Sequence, residues 1–110
     1  MTYQHQALAA GRWRQLTFLE QMANIGSEVE RALSWRFRKN PPYAQRAFER
    51  ALELIDLTLA ASTCPARLRE LARVREALVD DLTGTNHYAS SDASWKRYFT
   101  FFAYAARRTH

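Results

Sequence analysis

Apolar residues recur at three- and four-residue steps along most of this chain, and that period is the signature of helix. Leu16, Leu19, Met22, Gly26, Val29, Leu33 and Phe37 make one stripe and predict a first helix over 12–39, about 40 Å long. Asn40-Pro41-Pro42 ends it, because a residue before proline is pushed out of the helical region. Asn40 is placed to cap a second helix over 41–61 with proline in its first turn. That helix carries Ala44, Phe48, Ala51, Leu52, Ile55 and Leu59. A third helix, 65–83, opens at Pro65, carries Leu68, Leu71, Val74, Leu78 and Leu82, and should stop near Gly84. After a polar loop, Ser91 or Asp92 caps a fourth helix, 92–108, with Trp95, Tyr98, Phe99 and Phe102 inside. Residues 1–11 read as a flexible N-terminal tail. The pattern therefore predicts an all-α chain, one antiparallel up-down-up-down four-helix bundle over 12–108 with the first helix longest.

Three features sit badly on these stripes. Gly26 lies inside the first one, where it weakens a helix; close approach by a neighbouring helix would explain it. Arg75 lies among Leu71, Leu78 and Leu82, and a buried guanidinium needs an acid. Glu30 is the first candidate and Asp56 the second, unless Arg75 snorkels out along its methylenes. Aromatic and apolar residues also fall off the stripes: Trp13 and Trp35 on the first helix, Tyr43 and Leu57 on the second, Phe101 and Tyr104 on the fourth. Such residues suit an oligomer or partner interface. Trp35 between Arg31 and Arg38 equally suits base stacking, and a wrong helical phase would put them in the core.

Charge sharpens the second of these readings. The chain has 110 residues and a net charge of +5, carried by fourteen Arg and two Lys. Arg suits bidentate contacts to phosphate and stacking on bases. The stretch Arg31–Arg50 holds six of the sixteen basic residues and a single acid, Glu49. Helix-end electrostatics account for Arg36, Arg38 and Lys39 in a last turn. They do not account for Arg46, or for Arg67 and Arg69 in the first turn of the third helix. The candidate nucleic-acid-binding set is Arg31, Trp35, Arg36, Arg38, Lys39, Arg46, Arg50, Arg67 and Arg69, with RNA or DNA as ligand.

Other chemistry finds no support in the pattern. His5, His87, His110 and the lone Cys64 give no metal-ligand spacing, and neither a phosphate-binding loop nor a nucleophile elbow is present. Asp80-Asp81, the one adjacent acid pair, reads as helix-end solvation. No enzyme, metal or cofactor is expected. Cys64 allows no internal disulfide, no apolar run reaches the ~20 residues of a membrane span, and a cytoplasmic location is the expectation.

The segments LTFLEQMANIGSEVERALSWR, NPPYAQRAFERALELIDLTL, RLRELARVREALVDDL and SWKRYFTFFAYAARR together resemble a bacterial four-helix bundle family. It includes the proteins encoded in 23S ribosomal RNA intervening sequences and the accessory variability determinant of diversity-generating retroelements. The resemblance is one of architecture over about 12–108. The central serine- and arginine-rich segment of the ribosomal type is missing, which favours the retroelement branch. The resemblance implies a basic, barrel-shaped homopentamer that assists a reverse transcriptase and its template RNA. The alternative is a helical interaction module, such as the partner of a nucleotidyltransferase in a toxin–antitoxin pair.

Overall fold

A computed structural model of the chain describes residues 6–108, with side chains from residue 11 onward. His5, His110 and residues 1–5 of the expected tail lie outside the described residues. Within them the chain is all-helical: α1 Gln6–Gln15, α2 Phe18–Phe37, α3 Pro41–Ala61, α4 Pro65–Thr83 and α5 Asp92–Arg108.

The expected first helix is two helices. Thr17 is an extended N-cap whose hydroxyl accepts from the Glu20 amide, while the Glu20 carboxylate accepts from the Thr17 amide. This reciprocal pair satisfies two donors that a helix start leaves open, and it outweighs continuity of the apolar stripe. Residues 6–11 therefore belong to a helix and not to a tail.

Trp13 shows why α1 stays attached. It was expected on an outer face but is only 7% exposed. Its indole N–H donates to the Thr58 hydroxyl at 2.8 Å, and Gln21 Nε2 donates to the Trp13 carbonyl at 2.8 Å. Thr58 passes its own proton to the Leu54 carbonyl. Every polar group in this buried chain thus has a partner, which allows Thr58 and Gln21 to lie in an apolar interior. The break at Leu16–Thr17 re-aims α1, so a phase carried across it from α2 places Trp13 on the wrong side.

The core is formed by Met22, Ile25, Val29, Ala32 and Leu33 of α2, Phe48, Ala51 and Ile55 of α3, Leu71, Val74 and Leu78 of α4, and Trp95, Phe99 and Phe102 of α5. Helices α2 and α5 run in opposite senses: Phe18 meets Phe102, Gly26 meets Phe99 and Arg36 meets Asp92. Between α4 and α5, Glu70 meets Tyr98 and Asp81 meets Trp95, again in opposite senses. Leu57 is not on an outer face; it packs half-buried against the core.

The stops follow local chemistry. Asn40 Oδ1 accepts from the Tyr43 amide, with prolines opening α3. Gly84 closes α4 at φ 85°, where a side chain would be strained. The Ser91 hydroxyl accepts from the Ser94 amide at the start of α5.

Gly26 has the reason expected of it. A Cβ built there would lie 2.6 Å from Phe99 Cβ. That atom is anchored to the α5 backbone and cannot swing aside. Alanine would gain up to about 1 kcal/mol of helix propensity but must push two helices apart. Gly26→Ala is expected to destabilise by about 1–2 kcal/mol net, read as a lower urea midpoint at unchanged m-value; an equal or higher midpoint would contradict this packing.

Candidate nucleic-acid interface

The corner between α2 and α3 is set by how α2 ends. The Lys39 amide donates to the Arg36 carbonyl and the Asn40 amide to the Trp35 carbonyl, both at 3.0 Å. This pairing closes the helix with its following residue in the left-handed region, and that residue is Lys39 at φ 59°. Glycine is the usual occupant; a lysine there costs about 1 kcal/mol.

Around this closure four side chains interlock. Trp35 and Tyr43 meet edge to face, with ring centroids 4.8 Å apart. The Arg38 guanidinium lies 5.3 Å from the Trp35 ring and that of Arg46 lies 4.5 Å from the Tyr43 ring. Tyr43 is 45% exposed and Trp35 half-buried. Each exposed cation–π contact contributes about 0.5–1 kcal/mol and leaves the guanidinium N–H groups in water. Among the described residues no carboxylate lies within ion-pair distance of Arg38, Lys39 or Arg46. Beside Trp35 and Arg38, a shallow depression is lined by Ser27, Glu30, Arg31 and Ser34.

The other arginines of the stretch are occupied. Arg36 reaches across the bundle end: Nη1 donates to Asp81 at 3.0 Å, Nη2 to Asp92 at 3.0 Å, and the guanidinium lies over the Phe48 ring at 5.6 Å. Asp81 also accepts from the Trp95 indole at 2.9 Å. Burial acts most strongly on Arg36 and works against its charge, yet the two aspartates hold its pKa above the usual guanidinium value. Arg36 is thus engaged in holding the end of the bundle together.

The same contact corrects Phe37. The stripe placed it in the core, but it is 84% exposed. Arg36 over Phe48 closes this end of the core, so the next residue projects past the last packed layer.

Arg31 and Arg50 share Glu28. Arg31 Nη1 donates to Oε1 at 3.3 Å, while Arg50 Nη1 stands 3.8 Å from Oε2. That second distance is a charge contact and too long for a hydrogen bond, and Oε2 has no hydrogen-bond partner among the described residues. Arg31 is exposed and Arg50 half-buried, so each pair contributes little, but half of their joint charge is cancelled locally.

Arg67 and Arg69 are not brought to the corner. Arg67 lies 4.6 Å from the ring of Phe18, at the start of α2. Seventeen residues of helix separate that point from Trp35, about 25 Å. The Arg67 backbone amide, offset by burial and helped by the charges of Arg67 and Arg69, holds the neighbouring Cys64 thiol below the usual range. At the corner stand Trp35, Arg38, Lys39 and Arg46 of the expected set, joined by Tyr43, which was expected at an oligomer or partner interface, with Arg31 and Arg50 beside them.

Acids that the sequence reading ranked second or took for helix-end solvation hold an arginine and the α4–α5 loop. Asp56, and not Glu30, holds Arg75, with Arg75 Nε at 2.8 Å from Oδ1. Asp80 accepts from Thr85 Oγ1 and from the amides of His87 and Tyr88, which fixes the α4–α5 loop. Spacing gives no signal for these partners, because each bond joins residues brought together by the fold or by the loop. Among the described residues no cluster of three metal-ligating side chains occurs, and no helix is long and apolar enough to cross a membrane.

No family model, curated protein or solved structure matches the chain. The family resemblance thus stands on the quoted sequence segments alone.

Two consequences can be measured. Arg36→Ala leaves the nearly buried Asp81 carboxylate short of a partner. It is expected to destabilise by about 1–3 kcal/mol, against no more than about 0.5–1 for Arg38→Ala, which loses only its exposed cation–π contact; equal effects by urea unfolding would contradict the clamp. In the loop, burial pushes the Asp80 carboxyl up, but the Tyr88 amide, Thr85 hydroxyl and His87 amide together hold it below 3.8. A depressed carboxyl stabilises above its unfolded pKa and loses that contribution as pH falls through the folded value. The Asp80 side-chain carboxyl carbon resonance should hold position from neutral pH down to the carboxylate range and move only in acid; movement above the ordinary carboxylate range would contradict the bonding.

Proposed function

We propose that the chain is a non-enzymatic nucleic-acid-binding protein whose contact surface is the α2–α3 corner. The observation that carries this reading is the interlocked set Arg38–Trp35–Tyr43–Arg46. Two cations that have no acidic partner among the described residues are held against two aromatic rings, and Lys39 adds a third charge from a strained backbone position. The aromatic pair offers a stacking surface and the guanidinium groups offer phosphate contacts, the combination that single-stranded nucleic acid binders use. Strain retained where glycine would relieve it is in keeping with a binding role for Lys39.

In its fuller form the reading is an up-down-up-down four-helix bundle with α1 laid across it. It acts in the cytoplasm as a homo-oligomer, a pentamer by resemblance, that assists a reverse transcriptase and its template RNA. The antiparallel pairs α2–α5 and α4–α5 support the bundle. Phe37, exposed between Asp92 and Lys96, supports assembly, because a patch carrying both signs of charge can pair with its own copy.

The test is fluorescence anisotropy with a short labelled single-stranded RNA across a salt series. The double substitution Arg38→Glu and Arg46→Glu is expected to weaken binding by about tenfold or more and to lower the slope of log K against log salt by about one to two. Lys39→Gly separates binding from folding: it should raise stability by about 1 kcal/mol and still weaken binding. Undiminished affinity in the double variant would overturn the assignment.

A further inference from the structure

Helix α5 carries a second surface that the corner does not use. Arg97, Phe101, Tyr104 and Arg108 are spaced four, three and four residues apart and so share one face. That face points directly away from Trp95, Phe99, Phe102 and Ala106, which are buried. Phe101 is 63% exposed and Tyr104 55% exposed. Arg108 Nη1 donates to the Tyr104 hydroxyl at 3.2 Å, with its guanidinium 5.7 Å from the ring. Beyond Asp92 the helix holds four basic residues, Lys96, Arg97, Arg107 and Arg108, and no acid. Among the described residues neither Arg97 nor Arg108 has a carboxylate within ion-pair distance. The result is a convex ridge, apolar and aromatic in the middle, with a cation at each end about 16 Å apart.

We infer that this ridge docks an acidic amphipathic helix of a different protein, one that presents two carboxylates about three turns apart with apolar residues between them. Charge decides against a second copy. If two ridges pack antiparallel, Arg97 meets Arg108; if parallel, each meets its own counterpart. Both put uncompensated guanidinium groups at the rim of an apolar contact, where like charges are costly. An acidic helix pairs both ends at once and covers Phe101 and Tyr104, and Tyr and Arg are the side chains that most often anchor interfaces. Apolar content decides against a nucleic-acid groove: Phe101 and Tyr104 separate the two arginines, and a groove lined by phosphates and base edges would set both exposed rings against polar groups.

The experiment uses the full chain and a labelled synthetic helical peptide of about five turns. The peptide carries Glu at two positions eleven residues apart and Leu at the fourth and seventh positions between them. It should bind at least about tenfold more tightly than the same peptide with Lys for Glu. Arg97→Glu together with Arg108→Glu should reverse that preference. Phe101→Ala with Tyr104→Ala should weaken binding about tenfold at unchanged helical circular dichroism. Arg38→Glu with Arg46→Glu should leave it unaltered, so that failure of the corner and failure of the ridge are told apart. The inference falls if the Glu peptide does not bind, if Glu and Lys peptides bind alike, or if the aromatic double variant instead loses self-association or RNA binding.

Discussion

The clamp that Arg36 makes with Asp81 and Asp92 fixes how one end of this molecule is built. It ties the last turn of α2 to the last turn of α4 and the first turn of α5, and Trp95 holds the same Asp81 from inside. The end of α2 and the two helix ends that flank the α4–α5 loop meet at one guanidinium, whose planar fork can serve two carboxylates at once. The clamp also seals the core over Phe48. Because it does so, the residues after it are turned outward: Phe37 lies in solvent, and the chain must close in a tight left-handed step at Lys39 before α3 can start. The corner surface is the outer side of the same construction, with Trp35 and Arg38 flanking the arginine that points in.

Much of this was legible in the sequence, and what was missed was missed for physical reasons. Periodicity located α3, α4 and α5, and the stops at Asn40-Pro41 and Gly84 follow from backbone chemistry that acts within a few residues. Gly26 could be read as a close approach because glycine inside an apolar stripe has few other uses. The break at Thr17 was also visible, since Thr-x-x-Glu is a capping signature. It was overridden by a stripe that happens to run through it, and with it went the phase of Trp13. Phe37 failed because periodicity says which face of a helix is apolar, not where the neighbouring helices end. The partners of Arg36 were beyond local reasoning, and Asp56 could only be ranked second to Glu30 for Arg75, because charge pairing across a bundle depends on the relative height of helices that spacing does not encode. For the candidate site, sequence marked out Trp35, Arg38 and Arg46 at the corner, while Tyr43, which packs among them, was expected at an oligomer or partner interface. Sequence could not separate Arg36, which is consumed by the fold, from Arg38, which is two residues away and open to water.

The molecule thus carries two cationic-aromatic surfaces of different shape. The corner combines exposed guanidinium groups with an aromatic pair beside a shallow depression. The α5 ridge is convex and apolar at its centre. Both place arginine on aromatic faces, which lowers the entropy lost on binding by holding the guanidinium in place beforehand. On the proposed reading, a nucleic acid at the corner and an acidic helix on the ridge would be bound by different residues.

The central claim is that Arg38 and Arg46, and not Arg36, contact nucleic acid. It is tested most directly by following the arginine Nε–Hε resonances of the isotope-labelled chain while single-stranded RNA is added. The account predicts that Arg38 and Arg46 shift in step with RNA concentration while Arg36 keeps its position. Shifts confined to Arg67 and Arg69, or no shift at the corner at saturating RNA, would contradict it.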